Sequence, residues 1–218
     1  MNKDLLNKIE KQFGTSIKYQ INYINSDILS PVFELKEIPR RILIEIYGEE
    51  NTGKSTLLLH LIKEAQLNNY VICLIDTERS FDKTYANIII PKIEELVIIQ
   101  EKPNQNIINT IIELLKYNVF DIIFIDSIAT IDSEILKENI GKLKTTLNES
   151  NSLIIYTNQI RYFKKLYSRG GRPLKLSTAI RLKIQKLIKK DNIFNLECKI
   201  IKTIKPIQNN IKNIILNG

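Results

Sequence analysis

The chain has 218 residues, enough for one substantial domain, and a formal net charge of +8 at pH 7 with a pI of about 9.3. Two distant cysteines without a CxxC partner and a single histidine argue against a disulfide framework, a zinc site and histidine-based catalysis. No apolar run is long enough to cross a membrane and residues 1–4 lack a signal-peptide pattern, so we expect a cytoplasmic protein without a membrane partner.

Helices and strands are expected to alternate along the chain. Apolar spacing predicts an amphipathic helix over residues 4–13, followed by an irregular segment up to residue 40. Buried strands are predicted over 42–47, 71–76, 121–126 and 153–157, with helices over 56–66, 107–116 and 133–148. A basic, glycine-containing loop comes next, then a helix or strand near 177–187 and strands near 196–204 and 211–216.

This alternation predicts an α/β fold, a mostly parallel twisted sheet with helices on both faces. We divide the chain into an N-terminal helix and linker over residues 1–35, which is expected to contact a neighbouring protomer, and a core over residues 36–218.

A phosphate-binding loop is predicted where the first buried strand ends. Residues 48–56 fit the Walker A pattern GxxxxGK[ST], with a strand before it and a helix after it. Glycines let the backbone N–H groups turn towards phosphate oxygens, Lys54 can reach the β- and γ-phosphates, and Ser55 can hold Mg²⁺. The predicted nucleotide-binding residues are Gly48, Glu49, Glu50, Asn51, Thr52, Gly53, Lys54, Ser55 and Thr56. Asp126, at the end of another apolar strand, is the second predicted Mg²⁺ ligand.

These motifs, in this order, resemble those of the bacterial RecA recombinases. The resemblance rests on residues 9–14, on residues 44–56, on Ile75-Asp76-Thr77-Glu78, on Asp121 to Ser127 and on Asn158-Gln159-Ile160-Arg161. It implies a RecA-like P-loop NTPase core that binds ATP and Mg²⁺.

The resemblance also implies roles for individual residues. Glu78 would orient or activate the attacking water, Gln159 would sense the γ-phosphate, and Lys54 would complete the catalytic set. Asp82 and Tyr85 match residues that contact the adenine. Lys202, or else Lys205, would reach the ATP of a neighbouring subunit.

The segment after the predicted sensor is the expected DNA-binding surface. Residues 150–190 contain eleven Lys and Arg and no Asp or Glu, so the positive charge of the chain is concentrated there. The resemblance implies that this segment grips single-stranded DNA, through Arg161, Lys164, Lys165, Arg169, Gly170, Gly171, Arg172 and Lys175. The aromatic side chains of Tyr162, Phe163 and Tyr167 could stack on bases. A solvated basic loop is the alternative interpretation.

The function implied by the resemblance is a DNA-dependent ATPase that forms homo-oligomeric helical filaments on single-stranded DNA for strand exchange in recombination and repair. The span between Asp126 and Asn158 is shorter than in bacterial RecA, and the family's C-terminal domain has no counterpart before Gly218. One alternative is therefore a single-strand annealing or recombination-accessory ATPase without full strand exchange. Another, from a different class, is an ATP-dependent assembly or signalling module without a nucleic-acid role.

Overall fold

The computed structural model describes residues 23–100, 105–163, 165–168, 171–190 and 193–217. The predicted helix over residues 4–13 lies outside these ranges. The described chain begins with β1 (Tyr23–Ile24), α1 (Leu29–Val32), β2 (Ile38–Pro39), β3 (Leu43–Gly48), α2 (Lys54–Leu67), β4 (Ile72–Asp76) and α3 (Lys83–Ile89). It continues with β5 (Val97–Ile99), α4 (Gln105–Tyr117), β6 (Ile122–Asp126), α5 (Ser133–Glu149), β7 (Leu153–Phe163) and β8 (Lys165–Ser168). The remaining elements are α6 (Gly171–Ser177), β9 (Ile180–Lys190), β10 (Ile193–Lys202) and β11 (Ile211–Asn217).

A large mixed sheet forms the centre of the molecule, with the strand order β11-β10-β9-β3-β7-β6-β4-β5. The strands from β9 to β5 in this order are parallel, while β10 and β11 extend the sheet in antiparallel fashion. Every residue of β3 and β4 is buried, as expected for parallel strands that are covered on both faces. The predicted fold class is confirmed.

Two layers of helices cover the sheet, because its strands alternate between two apolar clusters. Ile44 and Ile46 of β3 face the cluster that contains α2, whereas Leu43 faces the cluster that contains α4 and α5. The carboxyl ends of β3, β4, β6 and β7 lie at one edge of the sheet, where functional sites of open α/β sheets are found.

The segment that precedes β3 packs on the cluster that contains α2. Phe33 and Leu29 are buried there, and β1 pairs with β2. Glu64 of α2 fastens the segment, because its carboxylate accepts hydrogen bonds from Ser26 Oγ at 2.7 Å and from Ile28 N at 3.0 Å. These contacts tie residues 23–39 to the core, and the boundary at residue 35 stays a prediction.

Several short elements differ from the sequence-based expectation. The predicted basic loop is largely a hairpin, since β7 continues to Phe163 and pairs with β8, and α6 follows it. The element near residue 180 is a strand, β9. Helix α3 and strand β5 were not predicted, and the residues of β1, α1 and β2 were expected to be irregular. In the described ranges, none of the helices has the length and apolarity that a bilayer crossing requires.

Candidate nucleotide-binding and active site

At two positions, Gly48 and Gly53, the loop between β3 and α2 leaves no room for a Cβ atom. A Cβ atom on Gly48 would lie 2.6 Å from the carbonyl oxygen of Ile184 on the neighbouring β9. Gly53 has a φ of +89°, and a Cβ there would lie 2.7 Å from Leu196 Cδ2. The Walker A glycines are therefore required by close packing against β9 and β10 as well as by the turn.

The side chain of Lys54 is buried at the start of α2. Its Nζ donates a hydrogen bond to the carbonyl oxygen of Glu49 at 2.5 Å, which curls the loop around the ammonium group. Burial lowers the pKa of Lys54, and the negative charges of Asp126, Glu78 and Glu50 oppose that shift. A buried cation that is stabilised by surrounding anions suits a loop that binds phosphates.

Asp126 lies at the end of β6 and faces the amino-terminal end of α2. Burial raises the pKa of its carboxyl group, hydrogen bonds from Thr157 and Ser55 oppose the shift, and the nearby charges of Glu78 and Asp76 add to it. A bound cation would relieve this concentration of negative charge, and carboxylate and hydroxyl oxygens are the ligands that Mg²⁺ prefers. The predicted metal ligands Ser55 and Asp126 therefore lie close together on the wall of one cavity, and their oxygens are chemically suited to Mg²⁺.

Glu78 lies in the loop after β4, and two side chains from other strand ends hold its carboxylate. The hydroxyl of Ser127 donates a hydrogen bond to Glu78 Oε1. Gln159 Nε2 donates to the same oxygen at 3.2 Å. The predicted water-activating residue and the predicted γ-phosphate sensor are therefore direct neighbours.

The loops after β4 and β6 are fastened to each other beneath Glu78. Thr77 N donates to the carbonyl oxygen of Asp126 at 2.9 Å, and Thr77 Oγ1 donates to the carbonyl oxygen of Ser127 at 2.6 Å. Asp76 organises the other side of the loop by accepting from Phe81 N at 3.0 Å and from Gln100 Nε2 at 2.9 Å. The position of Glu78 thus depends on a rigid pair of loops.

A cavity of about 150 Å³ opens beside the phosphate-binding loop. Tyr85, Phe81 and Thr56 lie on its wall together with Asp82. Asp82 also caps α3, since its carboxylate accepts hydrogen bonds from Thr84 N at 2.8 Å and from Tyr85 N at 3.1 Å. The two predicted adenine contacts therefore lie on one wall of this cavity, and Asp82 has a structural task there as well.

Lys202 lies on β10, two strands from β3. Its Nζ donates to carbonyl oxygens at the carboxyl end of α6, including those of Thr178 and of Leu176 at 3.0 Å. In the sheet, Lys202 lies opposite Arg181 of β9, and Arg181 lies opposite Glu45 near the start of β3. Lys202 therefore lies away from the Walker A loop of its own chain. The predicted contact with the ATP of a neighbouring subunit stays a prediction, as it does for the exposed Lys205.

The predicted DNA-binding residues are spread over the hairpin and α6. Arg161 lies in β7 and Lys165 in β8, while Lys164, Arg169 and Gly170 lie outside the described residues. Gly171 begins α6 with a φ of +64°. In α6, Arg172 is exposed and Lys175 is half-buried. The structure therefore locates this segment directly after Gln159, and its contact with DNA stays a prediction.

Two hydroxyl residues of the site had no predicted role: Ser127 donates a hydrogen bond to Glu78, and Thr157 donates one to Asp126. Both residues lie next to Asp126, the acid that ends β6. Ser127 comes directly after it in the chain, and Thr157 lies beside it on the neighbouring strand β7. A systematic search for hydroxyl residues at the ends of neighbouring predicted strands would have found both.

Comparisons with known proteins identify the family to which the chain belongs. The family model for the RecA N-terminal domain matches residues 2–215. Protein RecA of Chlorobaculum tepidum is 29% identical over 213 residues, which cover 82% of this chain and 62% of that protein. Protein RecA of Wolbachia pipientis subsp. Culex pipiens is 30% identical over 236 residues, covering 92% of this chain and 66% of that protein.

Protein RecA of Fusobacterium nucleatum is also similar, with 30% identity over 221 residues that cover 85% of this chain and 58% of that protein. The chain thus spans about six tenths of the length of the curated relatives that it matches. The match extends from the amino-terminal region into β11 and includes the Walker A loop, Glu78, Asp126 and Gln159. The chain belongs to the RecA family.

Proposed function

We propose that the chain is an Mg²⁺-dependent ATPase stimulated by single-stranded DNA, which assembles on that DNA as a homo-oligomeric filament. The observation that carries the proposal is the convergence of Lys54, Asp126 and Glu78 at one edge of the sheet, where their charges act on one another. Gln159 completes the group by its hydrogen bond to Glu78.

The residues at this edge fit ATP with Mg²⁺. Lys54 would neutralise phosphate oxygens, Ser55 and Asp126 would hold the metal, and Asp82 and Tyr85 would contact the adenine. When bound, Mg²⁺ neutralises charge on the phosphoryl group that is transferred. We assign the remaining chemistry to Glu78, whose carboxylate would orient a water molecule and accept its proton.

Gln159 supports a link between the nucleotide and the DNA. We expect its amide to exchange the hydrogen bond to Glu78 for one to the γ-phosphate when ATP is present. Gln159 belongs to β7, which runs without interruption from Leu153 in the core to Phe163 in the hairpin. A shift of Gln159 would therefore move the hairpin that begins the basic segment.

Charge supports DNA as the polymer. The eleven Lys and Arg of residues 150–190, with no Asp or Glu among them, favour phosphate contacts over an uncharged partner. Arg172 is exposed at the start of α6. In a filament, we expect Lys202 to leave the carbonyl groups of α6 and to contact the ATP of the neighbouring subunit.

The biological output that we propose is homologous pairing and strand exchange in DNA recombination and repair, in the cytoplasm. The shorter span between Asp126 and Asn158 favours a second candidate, single-strand annealing or an accessory role, which needs no loop that captures duplex DNA. An exchange assay with intact duplex, beside an annealing assay with two complementary single strands, separates the two candidates.

The first experiment measures steady-state ATP hydrolysis with and without single-stranded DNA, at low and high salt. We expect stimulation at low salt that is lost at high salt, because phosphate contacts release counterions. Glu78→Gln should lower kcat by about 100-fold while nucleotide binding persists. Glu113→Gln, the same change on the exposed surface of α4, is the matched control.

If single-stranded DNA leaves the rate of ATP hydrolysis unchanged at every salt concentration, the proposed filament on DNA is contradicted. That result would favour the ATP-dependent assembly or signalling module. Full turnover in the Glu78→Gln variant would show that another group activates the water.

A further inference from the structure

A buried polar cluster lies on the face of the sheet opposite the Walker A helix, and the ATPase proposal does not use it. Glu45 of β3 is fully buried, which is costly for a carboxylate without partners. Its Oε1 accepts a hydrogen bond from Asn158 Nδ2 at 2.7 Å, and its Oε2 accepts one from Arg181 Nε. Glu45 is thus shared between β7 and β9, the two strands that flank β3.

The partner of Glu45 on β9 is itself held in place. The guanidinium of Arg181 lies over the ring of Tyr47, with its Cζ atom 4.8 Å from the ring centroid. The side chain of Arg181 is only 12% exposed. Glu45 and Arg181 therefore form an ion pair inside the protein, in which each charge satisfies the other.

The partner of Glu45 on β7 connects this cluster with the nucleotide edge. Since successive residues of a strand point to opposite faces, Asn158 faces Glu45 while Gln159 faces Glu78. Asn158 Oδ1 accepts a hydrogen bond from Gln159 N at 2.9 Å. An amide that donates to Glu45 has its oxygen fixed as an acceptor, so Glu45 determines how Asn158 holds the backbone of Gln159.

These contacts form one unbroken chain, from Arg181 through Glu45, Asn158 and Gln159 to Glu78. We propose that Glu45 is a positioning residue for ATP hydrolysis: through Asn158 it fixes the backbone of Gln159, and thereby the place from which the Gln159 amide acts at the nucleotide edge. This inference rests on the proposed ATPase function and adds a residue that neither touches nucleotide nor belongs to the Walker motifs.

The test compares two double variants that both remove the buried charge pair, so that neither leaves an unpaired charge. In Glu45→Met with Arg181→Met, Asn158 loses the acceptor that Glu45 provides. In Glu45→Gln with Arg181→Met, the amide oxygen at position 45 still accepts from Asn158. The two proteins thus differ in the acceptor for Asn158, and melting temperatures from circular dichroism verify that both are folded.

The readout is kcat and KM for ATP at saturating single-stranded DNA. We expect Glu45→Met with Arg181→Met to lower kcat by about ten-fold or more relative to the wild type, with KM within about two-fold, because the Walker A loop is untouched. Glu45→Gln with Arg181→Met should recover at least about five-fold of that loss. Equal kcat values in the two double variants would overturn the proposal, as would a loss that lies wholly in KM.

A third variant decides the matter even if the methionine pair does not fold. Asn158→Ala leaves the pair of Glu45 and Arg181 intact and removes the group that connects it with Gln159. We expect the same loss in kcat. We expect no additional loss when Asn158→Ala is combined with Glu45→Met and Arg181→Met, because both changes interrupt the same series of hydrogen bonds. Wild-type turnover in Asn158→Ala would overturn the proposal.

The wild-type protein separates this inference from the function on which it rests. A wild-type chain that hydrolyses no ATP contradicts the proposed ATPase, before any variant is compared. A wild-type chain that hydrolyses ATP, with variants that hydrolyse it equally well, contradicts only the role of Glu45.

Discussion

Glu78 is held by donors that arrive from two other strand ends, so its geometry is a property of the strand pairing. Ser127 follows β6 and Gln159 belongs to β7, and these strands are neighbours in the sheet. Lys54 and Asp126 show the same dependence, since each is a buried charged group that is stabilised by residues far away in the sequence. At the scale of single residues, the site places a buried cation, Lys54, beside carboxylates that stabilise its charge but disfavour each other's.

His60 is a buried side chain whose ionisation affects the stability of the whole protein. It is 5% exposed on α2 and meets the ring of Phe194 edge-on, with the ring centroids 6.5 Å apart. Burial, together with the charge of Lys63, lowers the pKa of His60 from 6.5 to about 4. Between pH 6.5 and about pH 4, His60 is protonated in the unfolded chain but not in the folded protein. The free energy of unfolding therefore falls as the pH falls through this range.

We predict that His60→Leu makes the folding free energy less sensitive to acid. Between pH 7 and pH 4.5, the wild type should lose about 2 kcal/mol more than the variant, because the variant has no histidine to protonate in the unfolded state. Urea unfolding at the two pH values measures this difference. The carboxylates are the same in both proteins, so their contributions to the pH dependence cancel in the comparison. Identical pH dependence in the two proteins would show that His60 binds a proton as readily in the folded protein as in the unfolded chain.

At the scale of elements, the parallel strands were predictable and the short peripheral elements were not. β3, β4 and β6 are largely buried on both faces and therefore appear in the sequence as short segments rich in Ile and Leu. The hairpin strand β8 is an antiparallel extension, and its four residues give no comparable run. Contacts such as that between Glu45 and Arg181 depend on the register between strands that are distant in the sequence. A local sequence pattern does not reveal this register.

The helix α3 illustrates a signal that was present and was assigned to another role. Its seven residues are too few for a clear apolar period, but Asp82 stands at its start as a capping residue. In the sequence, Asp82 was assigned only to the adenine. The five residues with predicted catalytic or metal roles could be named from the sequence because the Walker motifs and the family resemblance specify residue types, whereas the cap is a matter of backbone geometry.

We predict that Asp82 supports nucleotide binding through the cap of α3. Asp82→Ala removes both capping hydrogen bonds, which should cost about 1 kcal/mol and loosen the helix that carries Tyr85 on the cavity wall. The Kd for ATP should rise by about three- to ten-fold, as measured by calorimetry, and Asp82→Asn should stay close to the wild type because its side-chain oxygen still caps. An equal loss in both variants would point to direct contact between the carboxylate and the nucleotide.

At the scale of the whole molecule, the segment before β3 acts as part of the core. Phe33 is completely buried in the cluster that contains α2, and Lys212 of β11 pairs with Glu34 at 2.8 Å. The segment thereby connects the helical layer with the antiparallel edge of the sheet.

Removing the side chain of Phe33 should therefore destabilise the entire fold. We predict that Phe33→Ala lowers the free energy of unfolding by about 3–5 kcal/mol, because the change leaves a cavity in packed surroundings. Leu67→Ala, at a side chain that is 66% exposed on α2, should change it by about 0.5 kcal/mol or less. Urea denaturation of the three proteins measures both values, and a Phe33→Ala variant as stable as the Leu67→Ala variant would show that residues 23–39 are dispensable to the core.

The place of β3 in the sheet has a consequence for the order in which the protein becomes functional during synthesis. Ile44 pairs with Ile155 on one side and with Ile180 on the other, and Gly53 packs against Leu196. The Walker A sequence therefore leaves the ribosome long before its neighbours exist, and such distant contacts close slowly. We therefore expect the loop to acquire its shape only once residue 196 has been made and docked, so that nucleotide binding by a nascent chain would report synthesis as far as β10.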